Sequence, residues 1–127
     1  THCISSAASD VYKRQLQDIA HTGEIAVVFS VPSTHQTLQL KARRATQRPA
    51  HDGDVPVLQA YLQSMVQEVG QVGYGPQYVA AMLAAPLQDV VAVSFTPTSA
   101  FDQTPGPRAG AQLCVPPTSP SPPTPQP

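Results

Sequence analysis

From Thr37 to Arg43 the chain alternates without a break. Leu38, Leu40 and Ala42 fall on one side of an extended backbone, and Thr37, Gln39, Lys41 and Arg43 fall on the other. A period of two is the mark of a strand with one face in a core and one in water, as in an antiparallel sheet. The run before it supplies a partner. Ile25, Val27, Phe29 and Val31 alternate with Ala26, Val28 and Ser30, apolar and β-branched enough to predict at least partial burial of both faces. Pro32-Ser33-Thr34-His35 between the two runs has turn chemistry. Ile25–Val31 and Thr37–Thr46 are therefore expected to form a hairpin.

Helical spacing takes over after the loop His51–Pro56. Asp54 is placed to cap a helix over Val55–Val69, with Pro56 near its first position. Val55, Leu58, Leu62, Met65, Val66 and Val69 form one apolar stripe. The stretch Gly70–Gly75 closes that helix, and Pro76 opens a second to about Ala85, with Val79, Met82 and Leu83 on its buried side. A third strand follows within Asp89–Pro97, where Val91, Val93 and Phe95 alternate with Ala92 and Ser94. Phe101–Leu113 reads as irregular, with a turn at Pro105-Gly106. Residues 114–127 hold seven of the fifteen prolines and are expected to be an extended, disordered spacer.

Upstream, Leu16, Ile19 and Ala20 give the last turns of a helix that Gly23 stops. The preceding residues 1–15 fit neither a helical nor a strand period and lack the apolar core of a secretory signal. Ser5–Gln15 resembles the translation of a transposase-based sequencing adapter, so residues 1–15 are expected to be non-native and to lie outside the fold. On that expectation residues 16–113 are the C-terminal part of a domain whose earlier strands are missing. Three strands cannot close a barrel, and they leave exposed edges that natural domains avoid.

At 127 residues the chain is one domain by size, and its net charge of −1 implies no general drive toward nucleic acid or an anionic membrane. Cys3 and Cys114 sit near opposite ends and are expected to be reduced, which fits a cytoplasmic protein. His21, His35 and His51 lack the spacing of metal ligands and read as solvated. Activated-nucleophile and phosphate-loop motifs are missing from the sequence. The densest positive cluster is Lys41-Ala42-Arg43-Arg44. Lys41 and Arg43 share the polar strand face, where they either meet a phosphate group or protect a solvated face or edge.

The stretch Gly23–Thr46 resembles part of the pyridoxamine 5′-phosphate oxidase-like, flavin mononucleotide (FMN)-binding split-barrel family. Val90–Gly110 is similar to the closing strand and C-terminal segment of a bacterial branch, and Leu16–Gly23 to the helix that leads into the first strand. The resemblance implies an α+β fold: a partial antiparallel split β-barrel of about three strands, with two helices inserted before the last strand. It implies a fragment of an FMN-dependent oxidoreductase, with the flavin at a homodimer interface and a small-molecule substrate. The cofactor contacts it carries over are His35, Gln36 and Thr37, at the start of the second hairpin strand. Ala42 and Gln36 depart from the glycine and arginine common in that branch. The main phosphate-binding residues of the family come from earlier strands, so this chain alone is expected to hold FMN weakly. A non-catalytic flavin-binding or dimerisation module of the same fold is the alternative. A helix-rich interaction domain resting on Val55–Ala85 ranks third.

Overall fold

A computed structural model of the chain describes residues 2–6, 10–82 and 84–113. In chain order the elements are β1 (His2–Ser6), α1 (Asp10–Thr22), β2 (Ile25–Ser30), β3 (Thr37–Ala42), β4 (Thr46–Pro49), α2 (Val55–Gly70), α3 (Pro76–Met82), β5 (Val90–Ser94), β6 (Ser99–Asp102) and β7 (Ala111–Leu113). Short 3-10 turns at Asp52–Asp54 and Leu87–Asp89 lead into α2 and β5. The strands form two antiparallel sheets, ordered β1-β5-β4 and β2-β3-β6-β7. The fold is mixed α+β, and neither sheet closes into a barrel.

The hairpin forms as the alternation predicts, with Ile25 opposite Ala42 and Ser30 opposite Thr37. Its inner face carries the core. Ala42, Val93 and Phe95 are buried together, with Leu16, Ile25, Val27, Leu40, Ala45 and Val91 packed against them. Sheet one therefore meets sheet two through β5 on β2 and β3, and α1 closes the side through Leu16. Only one face of β2 is covered, against the expectation for both. Ala26 and Val28 point outward, and Val28 is 53% exposed. The outer layer that would cover them is not supplied by any described helix.

The strand inventory differs from the three expected. β4 is separate from β3, because residues 43–45 leave the ladder and send the chain to the other sheet. β7 and the second half of β6 arise from the segment read as irregular, so α2 and α3 precede β5 rather than the last strand. Each is four residues or fewer, too short for a period to show. His2–Ser6 pairs with β5 over five positions, and Asp10–Gln15 continue α1 upstream of Leu16. Strand pairing satisfies backbone groups and does not require an apolar period, so His2–Ser6 can pair without showing one. Cys114, the proline-rich segment 114–127, Leu83 and the side chain of Met82 lie outside the described residues.

Helices α2 and α3 start at or next to the prolines that the sequence marks, and Val79 is fully buried. Asp54, expected as the cap of α2, makes no side-chain bond to that helix. Its carboxylate is spent one turn earlier. Oδ2 accepts from the His51 amide at 2.9 Å, and the two oxygens accept from Arg48 Nη1 and Nη2 at 2.7 and 2.8 Å. The two-pronged guanidinium contact is stronger than a cap on a single amide, so it wins the carboxylate. No described helix is long and apolar enough to cross a membrane.

The Arg48 hydrogen bonds, followed by that of the His51 amide, hold the Asp54 carboxyl far below the usual carboxylate range. A depressed value adds stability that is complete above the unfolded value of about 3.9 and fades as pH falls toward the folded one. Thermal melts taken downward from neutral pH should therefore show wild-type stability declining below about pH 4. Asp54→Asn should start lower at neutral pH and show a shallower acid decline. Parallel curves for the two proteins would refute this role.

Candidate functional site

The resemblance points to the turn between β2 and β3, and the geometry there is closely specified. Val31 N–H donates to Gln36 O at 2.9 Å, and His35 N–H donates to Val31 O at 2.8 Å. His35 sits at φ 59°, the left-handed region, the only described non-glycine residue to do so. Histidine is among the few side chains found there at all, and such a conformation persists only where the surroundings hold it. Gln36 N–H donates to Thr34 Oγ1 at 3.3 Å.

Thr37 joins this turn to β6. Its N–H donates to Thr104 Oγ1 at 3.0 Å, and its carbonyl accepts from Gln103 N–H at 2.8 Å. Its hydroxyl donates to His35 O at 3.0 Å, so the Ser30 hydroxyl, also at 3.0 Å, is the donor to Thr37. Beyond Thr104 lies Asp102, whose Oδ1 accepts the Thr104 N–H at 2.9 Å. The Thr104 hydroxyl and amide, with Arg108 at 3.6 Å contributing less, hold the Asp102 carboxyl below its ordinary value. The structure thus brings His35, Gln36 and Thr37 together at one end of the four-stranded sheet, against the loop after β6. Sequence reading missed Thr104 and Gln103, because nothing local marks a hydroxyl that bonds a backbone 67 residues away.

The outer face of the same sheet continues from this end. Gln39 lies opposite Val28 and Phe101, and its Oε1 accepts from Gln103 Nε2 at 3.3 Å. Lys41 Nζ stands 4.9 Å from the centre of the Phe101 ring. β3 is an interior strand, so Lys41 lies on a solvated face and not at an edge, while Arg43 follows the strand where the chain has left the ladder. Strand positions on this outer face carry no carboxylate: Asp102 points the other way, alongside Leu38.

What this arrangement offers a ligand can be stated group by group. The amides of His35, Gln36 and Thr37 are all engaged within the chain, so the turn presents no open backbone cradle to a phosphate. The exposed side chains of His35 and Gln36, and Lys41 further along the face, remain as donors. The Thr37 hydroxyl donates to His35 O, so within the triplet only the His35 and Gln36 side chains are left to meet a ligand. His21, His35 and His51 lie on different elements, and no cluster of three or more potential metal ligands occurs among the described residues.

No family model, curated protein or solved structure matches this chain.

Proposed function

We propose that this chain contributes one wall of an FMN site in an oxidoreductase of the split-barrel kind, with the flavin held between two copies. The observation that carries the reading is His35 at φ 59°, beside exposed Gln36, at the end of a sheet face without carboxylates. Glycine would relieve that conformation, and the turn instead holds an exposed imidazole at the end of the sheet, placed to meet a ligand. The flavin, when bound, supplies the redox chemistry toward a small-molecule substrate. His35 and Gln36 would bind its phosphate end, and Thr37 would hold the turn in register with β6.

A second reading is a binding or dimerisation module of the same fold without activity. It is favoured by the two perturbed carboxyls. Asp54 and Asp102 are both pushed down and both bonded within the chain, so neither serves as an acid or base near neutral pH.

The test is the visible spectrum of the protein, purified and then mixed with FMN. An oxidised-flavin band that bleaches with a reduced substrate is expected. A flavin band that no reductant bleaches selects the second reading. A colourless protein that leaves FMN fluorescence unquenched would overturn both. His35→Gly in the flavin-binding product should keep or raise thermal stability while weakening FMN binding about tenfold, the loss of one charge-assisted contact.

A further inference from the structure

The turn that carries His35 and Gln36 is tied to the rest of the molecule from two sides. After it, Thr37 bonds Thr104 and Gln103 in the loop that follows β6. Before it, the Ser33 hydroxyl donates to Oε2 of Glu68, 35 residues away on α2. Among the described residues, this is the one hydrogen bond that joins residues 32–36 to anything beyond their own hairpin. Thr34, His35 and Gln36 therefore lie on a short span fixed at both ends, by a helix on one side and a loop on the other.

Glu68 stands where its own helix has no use for it. Gly70 is the last residue of α2, so the carboxylate lies in the final turn, beside the negative end of the helix dipole. A base would be favoured there, and that turn has none. Across Val55–Met82 Glu68 is the one ionisable acid or base other than tyrosine. Packing does not call for it either, since the buried residue of that turn is Val69. A side chain kept against its local preference is expected where it serves a distant group, and the group it meets is Ser33. Both partners are half-buried, so water competes weakly for the bond.

We infer that Glu68 is a positioning residue for the candidate ligand turn: through Ser33 it holds His35 and Gln36 in the conformation that presents their side chains. The inference rests on the reading of that turn as part of a binding site. The physical link is short. His35 sits at φ 59°, and such a backbone persists only where its surroundings hold it. Ser33 and Thr37 flank it symmetrically, and both are bonded outside the turn. Pro32 has its φ fixed by its ring, which removes slack between β2 and the Glu68 contact. With Ser33 freed, the span keeps only bonds within the hairpin, and the one from Gln36 N–H to Thr34 Oγ1 is long at 3.3 Å. His35 is then free to return to the ordinary backbone region, which takes its imidazole away from the end of the sheet. Glu68 itself touches no ligand and acts through Ser33 alone.

Amide exchange in the full 127-residue chain tests it. The His35 N–H, which bonds Val31 O at 2.8 Å, should exchange roughly tenfold faster in Glu68→Ala and in Ser33→Ala, the loss of one hydroxyl-to-carboxylate bond. Glu68→Gln keeps an oxygen for the hydroxyl and should recover most of the protection. The Gly23 N–H, which ends α1, should not change, and this separates local release from general destabilisation. The double alanine variant should be no faster than either single one, because both side chains act through one bond. Fluorescence titration with FMN gives the second readout. Glu68→Ala should weaken binding by a similar factor, and Glu68→Gln should stay close to wild type. Unchanged His35 exchange in both alanine variants would mean that Glu68 does not hold the turn. Faster exchange with unaltered FMN affinity would reduce Glu68 to a structural tie and overturn its positioning role. A wild type that leaves FMN unquenched would overturn the reading of the turn as an FMN site, and the positioning role with it, while exchange still decided whether the tie to Ser33 exists.

Discussion

Phe95→Ala is expected to cost about 3–5 kcal/mol, the range for emptying a buried phenyl site that cannot collapse. Phe95 is 4% exposed and lies with Ala42 and Val93 where the two sheets meet. Few other side chains help to join the sheets. Among the described residues only eight apolar ones are buried, and three of those are alanines. Alanine adds little contact area, so the bulk of the inter-sheet packing falls on Phe95, Val93 and their half-buried neighbours. A domain stable by about 5–15 kcal/mol has little in reserve against such a loss. Urea unfolding should show the midpoint falling sharply with an unchanged slope. A loss under about 1 kcal/mol would mean that the sheets are not held together through this ring.

The second large effect is expected at Gly23. It follows α1 at φ 70°, and its N–H donates to Ile19 O at 2.8 Å, ending the helix. A left-handed backbone costs a residue with a Cβ about 1–2 kcal/mol. The fit here adds to that, since a Cβ on Gly23 would stand 2.7 Å from the carbonyl oxygen of Arg43. That oxygen is backbone and is held close, because Ala45 N–H donates to Gly23 O at 2.9 Å. Gly23→Ala should therefore lower the thermal midpoint markedly and loosen α1 from the core. Gly70→Ala is the control. It ends α2 with nothing within 4 Å of the added methyl, so it should be neutral or stabilising by about 0.5–1 kcal/mol. Equal effects at the two glycines would refute the close approach.

Much of this fold is legible in local pattern. The alternation of Thr37–Arg43 predicts both the strand and which side is buried, and Leu40 and Ala42 do face the core. Pro56 and Pro76 stand at or next to the first positions of α2 and α3, and Gly23 ends α1. Each of these signals lies within a few residues and acts through backbone dihedrals or through one repeating period. The candidate site is legible only in part. His35, Gln36 and Thr37 do fall together at a turn, but the groups that hold them, Gln103 and Thr104, come from a stretch without a period. Asp54 shows how a sound local rule gives way. It stands where a helix cap belongs, and an arginine six residues earlier takes its carboxylate instead.

By itself the sequence determined the central hairpin and which of its sides is apolar, the strand β5, the starts of α2 and α3, and the end of α1 at Gly23. Tertiary structure alone decided that β6 joins β3, that β5 lies in the other sheet between β1 and β4, and that Val69 is the buried end of the α2 stripe while Leu62 is 36% exposed. The reason is physical. Dihedral preference and side-chain period are properties of neighbours in the chain. Strand pairing and burial depend instead on which distant groups can satisfy one another's hydrogen bonds and exclude water, and that depends on the whole arrangement at once.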